Sequence, residues 1–148
     1  LSIRRQRQMC IRDSYRTALA AWGSDGADGI PYTTDFEGRP VSSQRMHWVI
    51  CEAIGVSLVI SKLAARFSSD SQLPQLAQQW ADKFCVYALD KFIQHPGQWS
   101  HELDVNNQPA CVTWVGKADI YHAGQAMFLV SLPAQPGFAA ALKHSKSA

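Results

Sequence analysis

No apolar run in this chain is long enough to cross a bilayer: Val49–Ile60 is too short and is interrupted by Glu52. The N-terminus lacks the apolar core of a secretion signal, so a cytoplasmic protein is expected. Paired cysteines are missing too. Cys10, Cys51, Cys85 and Cys111 lie far apart with no CxxC, which supplies neither a zinc site nor a disulfide framework. Four free thiols are expected, Cys51 and Cys85 acting as small hydrophobes within helical patterns. The sequence has no nucleophile elbow, phosphate loop, HExxH or dinucleotide fingerprint. An excess of one charge is also lacking. Lys and Arg number 14 against 12 Asp and Glu, and Arg4, Arg5, Arg7, Arg12 and Arg16 hold much of the basic charge, so no nucleic-acid partner is indicated.

What is present suits one globular domain: 148 residues, 47% hydrophobic and 18% charged. The stretch Gly29–Gly55 joins two structural signals. Gly29–Val41 reads as a hairpin, with strand-favouring Tyr32, Thr33 and Thr34 and a reversal at Glu37-Gly38-Arg39-Pro40. Arg45–Phe67 reads as a long helix, apolar on nearly every side, as a buried helix should be. Trp48, Glu52 and Gly55 share one of its faces. They offer an aromatic plate, a carboxylate and an open spot, a wall suited to a sugar. A buried Glu that pairs with a neighbouring segment is the other reading of the same pattern.

Residues 1–14 show no helical stripe, begin without Met, and in MCIRDS resemble translated adapter sequence. They are expected to be foreign to the natural protein and disordered, against the alternative of a natural basic arm. Tyr15–Trp22 reads as the last turns of a helix, stopped by Gly23-Ser24-Asp25-Gly26. The carboxylates of Asp25 and Asp28 lie three apart with no downstream Glu, which favours a turn over a calcium loop. Leu73, Leu76, Ala77, Trp80, Phe84, Tyr87, Ala88 and Phe92 trace a stripe with polar residues off it, the pattern of an outer helix with one wet face. A buried helix followed by a one-faced helix points to two concentric layers.

After His95-Pro96-Gly97, Gln98–Asp104 and Ala110–Val115 read as a second hairpin around Asn106–Pro109. Asp119 caps a helix from Ile120 to about Leu132, ended by Pro133, with a frayed tail over 139–148. His122 sits in the first turn of that helix. The positive end of the helix dipole disfavours a second proton there, which suits a neutral imidazole that abstracts a proton beside a carbonyl. A His that only packs and bonds a carbonyl is the plain alternative. Tyr121 and His47 read as packing residues, His101 as facing either way, and His95 and His144 as turn and tail residues.

GADGIPYTTDFEGRPV, RMHWVICEAIG, WSHELDVNNQP and WVGKADIYHAGQA, in that order, closely resemble the C-terminal part of the N-acylglucosamine 2-epimerase superfamily, nearest its aldose–ketose isomerase branch. The resemblance runs from about Trp22 to Pro136. It implies an all-α fold, a partial (α/α)6 barrel with short β-hairpins between helices, here over residues 15–138. It implies a monosaccharide substrate, histidines as acid and base, and neither metal nor organic cofactor. His122 matches the last catalytic His of the family, in DxYH. Trp48 and Glu52 match substrate-binding positions on an inner helix, and His101 matches a pocket position. Ala118 departs from a polar residue of some sulfonated-sugar enzymes. The expected function is mannose/fructose-type isomerisation through an enediol. The alternatives are 2-epimerisation or sulfoquinovose isomerisation, or a non-catalytic carbohydrate-binding or interaction fragment. The family's earlier inner helices are missing, so a C-terminal fragment is expected, inactive alone and with apolar surface uncovered beside Tyr15–Trp22.

Overall fold

Residues 2–22 contain neither Gly nor Pro and are rich in Arg, Gln and Ala, all good helix formers. In the computed structural model, which describes residues 2–64, 69–135 and 137–145, they form α1 (Ser2–Ala20). Residues 2–14, expected from sequence to be disordered, fall within this helix. Local propensity suffices for helix where an apolar stripe is absent. The segment still packs little, for Ile3, Met9 and Ile11 are exposed. Burial starts at Tyr15, whose hydroxyl donates to Ser57 Oγ at 2.9 Å.

The first hairpin forms as expected from β1 (Thr33–Thr34) and β2 (Pro40–Ser42). Asp35 closes its turn by accepting the Glu37 and Arg39 backbone N–H groups. The long helix begins later than the sequence suggests. Arg45–Met46 is a strand, β3, and α2 spans His47–Leu63. Residues 65–67 of the expected helix lie outside the described residues. The difference has a distant cause. Arg45 and Met46 pair with β6 (Glu102–Leu103), which pairs in turn with β7 (Pro109–Ala110), and these partners draw their backbone groups out of the helical ladder.

Arg45 is also the centre of a buried latch. Its guanidinium grips both oxygens of Asp25 at 2.7 Å and donates to the carbonyls of Ala27 and Asp28 at 3.1 Å and to that of Ser43. The Asp25–Gly29 loop is a turn, as expected, and its Asp25 carboxylate is committed to Arg45.

α2 packs against both α3 (Leu73–Tyr87) and α4 (Ile120–Ser131). Ile50, Cys51, Ile54, Leu58, Phe84, Ala123 and Ala126 meet in one core cluster. α2 is not apolar-covered all round: Glu52 and Val56 are exposed. Gly55 is not an open spot either. A Cβ there would lie 3.2 Å from Leu129 Cδ1, so the glycine lets α2 and α4 approach.

The α3 stripe is as expected: Leu73, Ala77, Phe84 and Tyr87 are buried, while Gln75, Gln78, Gln79, Asp82 and Lys83 face water. Trp22 stacks against Trp80, Phe84 and Tyr87. The helix relaxes into a π turn over Ala88–Phe92. The second hairpin is shorter and divided. β4 (Ile93–His95) turns back on β5 (Gln98–Trp99), and only Glu102–Leu103 pairs with Pro109–Ala110.

Asp119 caps α4 as expected, accepting the His122 N–H at 2.9 Å. In the tail, α5 spans Phe138–Ser145, and residues 146–148 lie outside the described residues. The fold is thus mostly helical, with five α-helices and three small antiparallel sheets among the described residues. α4 leaves several apolar side chains uncovered: Ile120, Tyr121, Met127, Phe128 and Val130 are each more than half exposed.

Candidate active site

The pairing of β3 with β6 joins the start of α2 to the segment that leads into α4. It places the His47 N–H 3.1 Å from the His101 carbonyl, and so brings the four aromatic and imidazole rings of Trp48, His47, His101 and His122 together. Centroid distances are 5.3 Å for His47–Trp48, 5.2 Å for His47–His101, 5.2 Å for Trp48–His101 and 6.1 Å for His47–His122. Tyr32, from the loop before β1, adds its ring edge to Trp48.

Local sequence sets the position of His122. With Asp119 as the cap, the residue three further on turns back over it. His122 Nδ1 lies 3.0 Å from both Asp119 oxygens, so Nδ1–H donates to the carboxylate and Nε2 is left as the acceptor. Nε2 faces Glu52 Oε1 at 3.8 Å. Glu52 is more than half exposed, so the reading of a buried, paired Glu does not hold. Partial burial works against the charge on Asp119. Hydrogen bonds from the His122 backbone and ring and from His47 outweigh it, and hold the carboxyl well below the usual carboxylate range.

Of the four residues singled out from sequence, Trp48, Glu52 and His122 converge, and His101 stands against Trp48. His101 Nδ1 is the one buried side-chain polar atom without a partner among the described residues. The packing reading of His47 is corrected. Its ring is fully buried, but Nε2 lies 3.0 Å from Asp119 Oδ2 and Nδ1 3.3 Å from the His101 carbonyl. Burial pushes its imidazole below the ordinary histidine range, with Asp119 and the His101 carbonyl pulling the other way. Tyr121 is corrected as well. It is exposed, with its ring centroid 4.9 Å from that of His122 and the two rings steeply inclined.

Sequence reasoning also passed over Glu102. This fully buried carboxylate accepts the N–H groups of Val112, Thr113 and Trp114 at 2.9–3.2 Å, which fixes the loop leading to Asp119. His47, Asp119 and His122 have spacing that would admit a cation.

The cluster thus presents a histidine acceptor nitrogen turned to a carboxylate, beside a Trp and further histidines. The family is shown by comparison with known proteins. Residues 4–126 match the N-acylglucosamine 2-epimerase (GlcNAc 2-epimerase) family, and the chain belongs to it. The match begins inside the segment expected to be foreign. Among relatives, D-mannose isomerase of Thermobifida fusca is 38% identical over 122 residues, and D-mannose isomerase of Pseudomonas cannabina pv. alisalensis 36% over 122. Each alignment covers 82% of this chain and 28% of the relative, so the chain spans just over a quarter of the length of these relatives.

Proposed function

We propose that the chain is the C-terminal part of a cofactor-independent sugar isomerase that interconverts a mannose-type aldose with its ketose. The observation that carries the reading is the Asp119–His122 pair, with Nε2 open towards Glu52. In this scheme His122 Nε2 takes the proton from C2 of the open-chain sugar, the electron pair moves onto the carbonyl, and a second acid/base group protonates O1 to give an enediol. Return of the proton to C1, with the O2 hydroxyl proton passing to that second group, completes the ketose. Asp119 holds the imidazole in the required tautomer and balances the imidazolium as it forms. Trp48 supplies a flat apolar face, and Glu52 and His101 supply polar contacts to hydroxyls. The mannose relatives favour isomerisation. The family's description favours the neighbouring outcome, return of the proton to the other face of C2. Both begin with the same abstraction, so product analysis from mannose separates them.

The partial (α/α)6 barrel belongs to this proposal. It is supported by the adjacency of α2 and α4, by the one-faced α3, and by the uncovered apolar side of α4. The segment beyond this chain would then bring the partner acid/base groups, and the chain alone would be inactive. The test is deuterium exchange at C2 of mannose by the complete protein, wild type against His122→Ala. Loss of exchange with the fold retained is expected. Exchange that survives the substitution removes His122 from the base role.

A further inference from the structure

His47 makes no use of its chemistry if it only fills space, since burying an imidazole costs more than burying a leucine unless its nitrogens are engaged. Its nitrogens face the two segments that carry His101 and His122, Nδ1 towards the His101 carbonyl and Nε2 towards the Asp119 carboxylate, with which it is hydrogen-bonded. We infer that His47 is a positioning residue, which acts through Asp119 to fix the tautomer and direction of the His122 ring. This deepens the isomerase reading and rests on it.

Consider what Asp119 needs. Its carboxylate is about half exposed, and as a helix cap it is tied only through Oδ1, to the His122 N–H. Such a carboxylate can rotate about its terminal bond and keep the cap. It would then lose its aim at His122 Nδ1. The buried Nε2 of His47 pins the other oxygen, Oδ2, at 3.0 Å. With both oxygens held, the carboxylate plane is set, and His122 Nδ1 sits 3.0 Å from each.

The proton on His47 follows from the same network. Nε2 meets two opposite demands: Asp119 Oδ2 requires a hydrogen there, while the Asp119 N–H, 3.2 Å away, offers one. A bond to an ionised carboxylate is about twice as strong as one between neutral groups, so Nε2–H donates to Oδ2, and Nδ1, 3.3 Å from the His101 carbonyl, then carries no hydrogen. One imidazole thus faces the carboxylate from the core and the other from the open side. The inner ring is immobile, and it holds the outer one.

Two conservative substitutions separate this role from packing. The amide of His47→Gln reaches the Nε2 position and can still donate to Asp119. The amide of His47→Asn reaches only the Nδ1 position, so it can meet the His101 carbonyl but loses Asp119. In the complete protein His47→Asn is expected to lower kcat about 100-fold with KM little changed, the scale of a misdirected catalytic group. His47→Gln should recover most of that loss. Ring nitrogen NMR of selectively labelled histidine gives a readout independent of turnover. His122 should be a single tautomer with Nδ1 protonated in the wild type and His47→Gln, and a tautomer mixture in His47→Asn. A wild type that fails to turn over sugar while its ring signals follow this pattern would sink the isomerase reading and keep the positioning role. Equal kcat loss in both variants, or a His122 tautomer unaffected by His47→Asn, would overturn the inference.

Discussion

Replacing Asp25 by Ala strands a charge. The Arg45 side chain is 1% exposed and Asp25 is 8% exposed, and the two meet in a two-pronged pair at 2.7 Å. Arg45 retains its bonds to the carbonyls of Ala27, Asp28 and Ser43, but these dipoles do not neutralise a guanidinium. Removing one partner of a buried ion pair typically costs about 3–5 kcal/mol, because the other charge stays out of water. A domain of ordinary stability holds about 5–15 kcal/mol in all, so much of it would go. The double variant Asp25→Ala/Arg45→Met, with no stranded charge, should be more stable than Asp25→Ala alone. Urea unfolding of the dilute chain reads both differences as shifts in midpoint.

The pH dependence has a definite sign. Burial opposes the charge on Asp25, and the Arg45 guanidinium with its neighbours overcomes this and holds the carboxyl below its ordinary value. A carboxyl lowered in the folded state adds stability that is present above its unfolded value and lost as pH falls through the folded one. The gap between wild type and Asp25→Ala should therefore be full at neutral pH and shrink below about pH 4. A loss under about 1 kcal/mol would place the pair in the range of exposed ones and refute the reasoning. So would a gap that does not close in acid.

Gly29→Ala should cost about 2–4 kcal/mol, from left-handed backbone strain and overlap together. Its φ is +108°, and a Cβ would lie 2.9 Å from Arg45 Cγ and against the Tyr87 hydroxyl; an unchanged urea midpoint would refute this. Glu102→Gln turns an amide N–H₂ towards backbone N–H groups that now share two oxygens, and leaving a buried donor unpaired costs about 1–3 kcal/mol. A thermal midpoint equal to the wild type would show that the 111–114 loop is held by something else.

The parts of the site that were legible in the sequence are those fixed by short spacings. Asp119 and His122 lie three apart at a helix start, and Trp48 and Glu52 four apart along one, so helical geometry alone places each pair. What joins the pairs is not local. On a helical wheel His47, one residue from Trp48, turns away from the Trp48–Glu52 face, but the wheel assumes that the helix already runs through residue 47 from Arg45. The strand pairing of Arg45 with Leu103 and Met46 with Glu102 removes that assumption. His47 is the first helical residue, and its direction is set by the sheet that ends just before it. The same pairing delivers the His101 carbonyl to His47, and Glu102, in that strand, holds the loop that ends at Asp119. A register between segments more than fifty residues apart leaves no periodic trace in either one. Gly55 was misread for a related reason: one helix shows that a side chain is absent, and only the second, through Leu129, shows what takes its place. The residues proposed to touch a sugar were therefore readable one helix at a time. Those that tie their segments together, His47 and Glu102, become visible only where two segments meet.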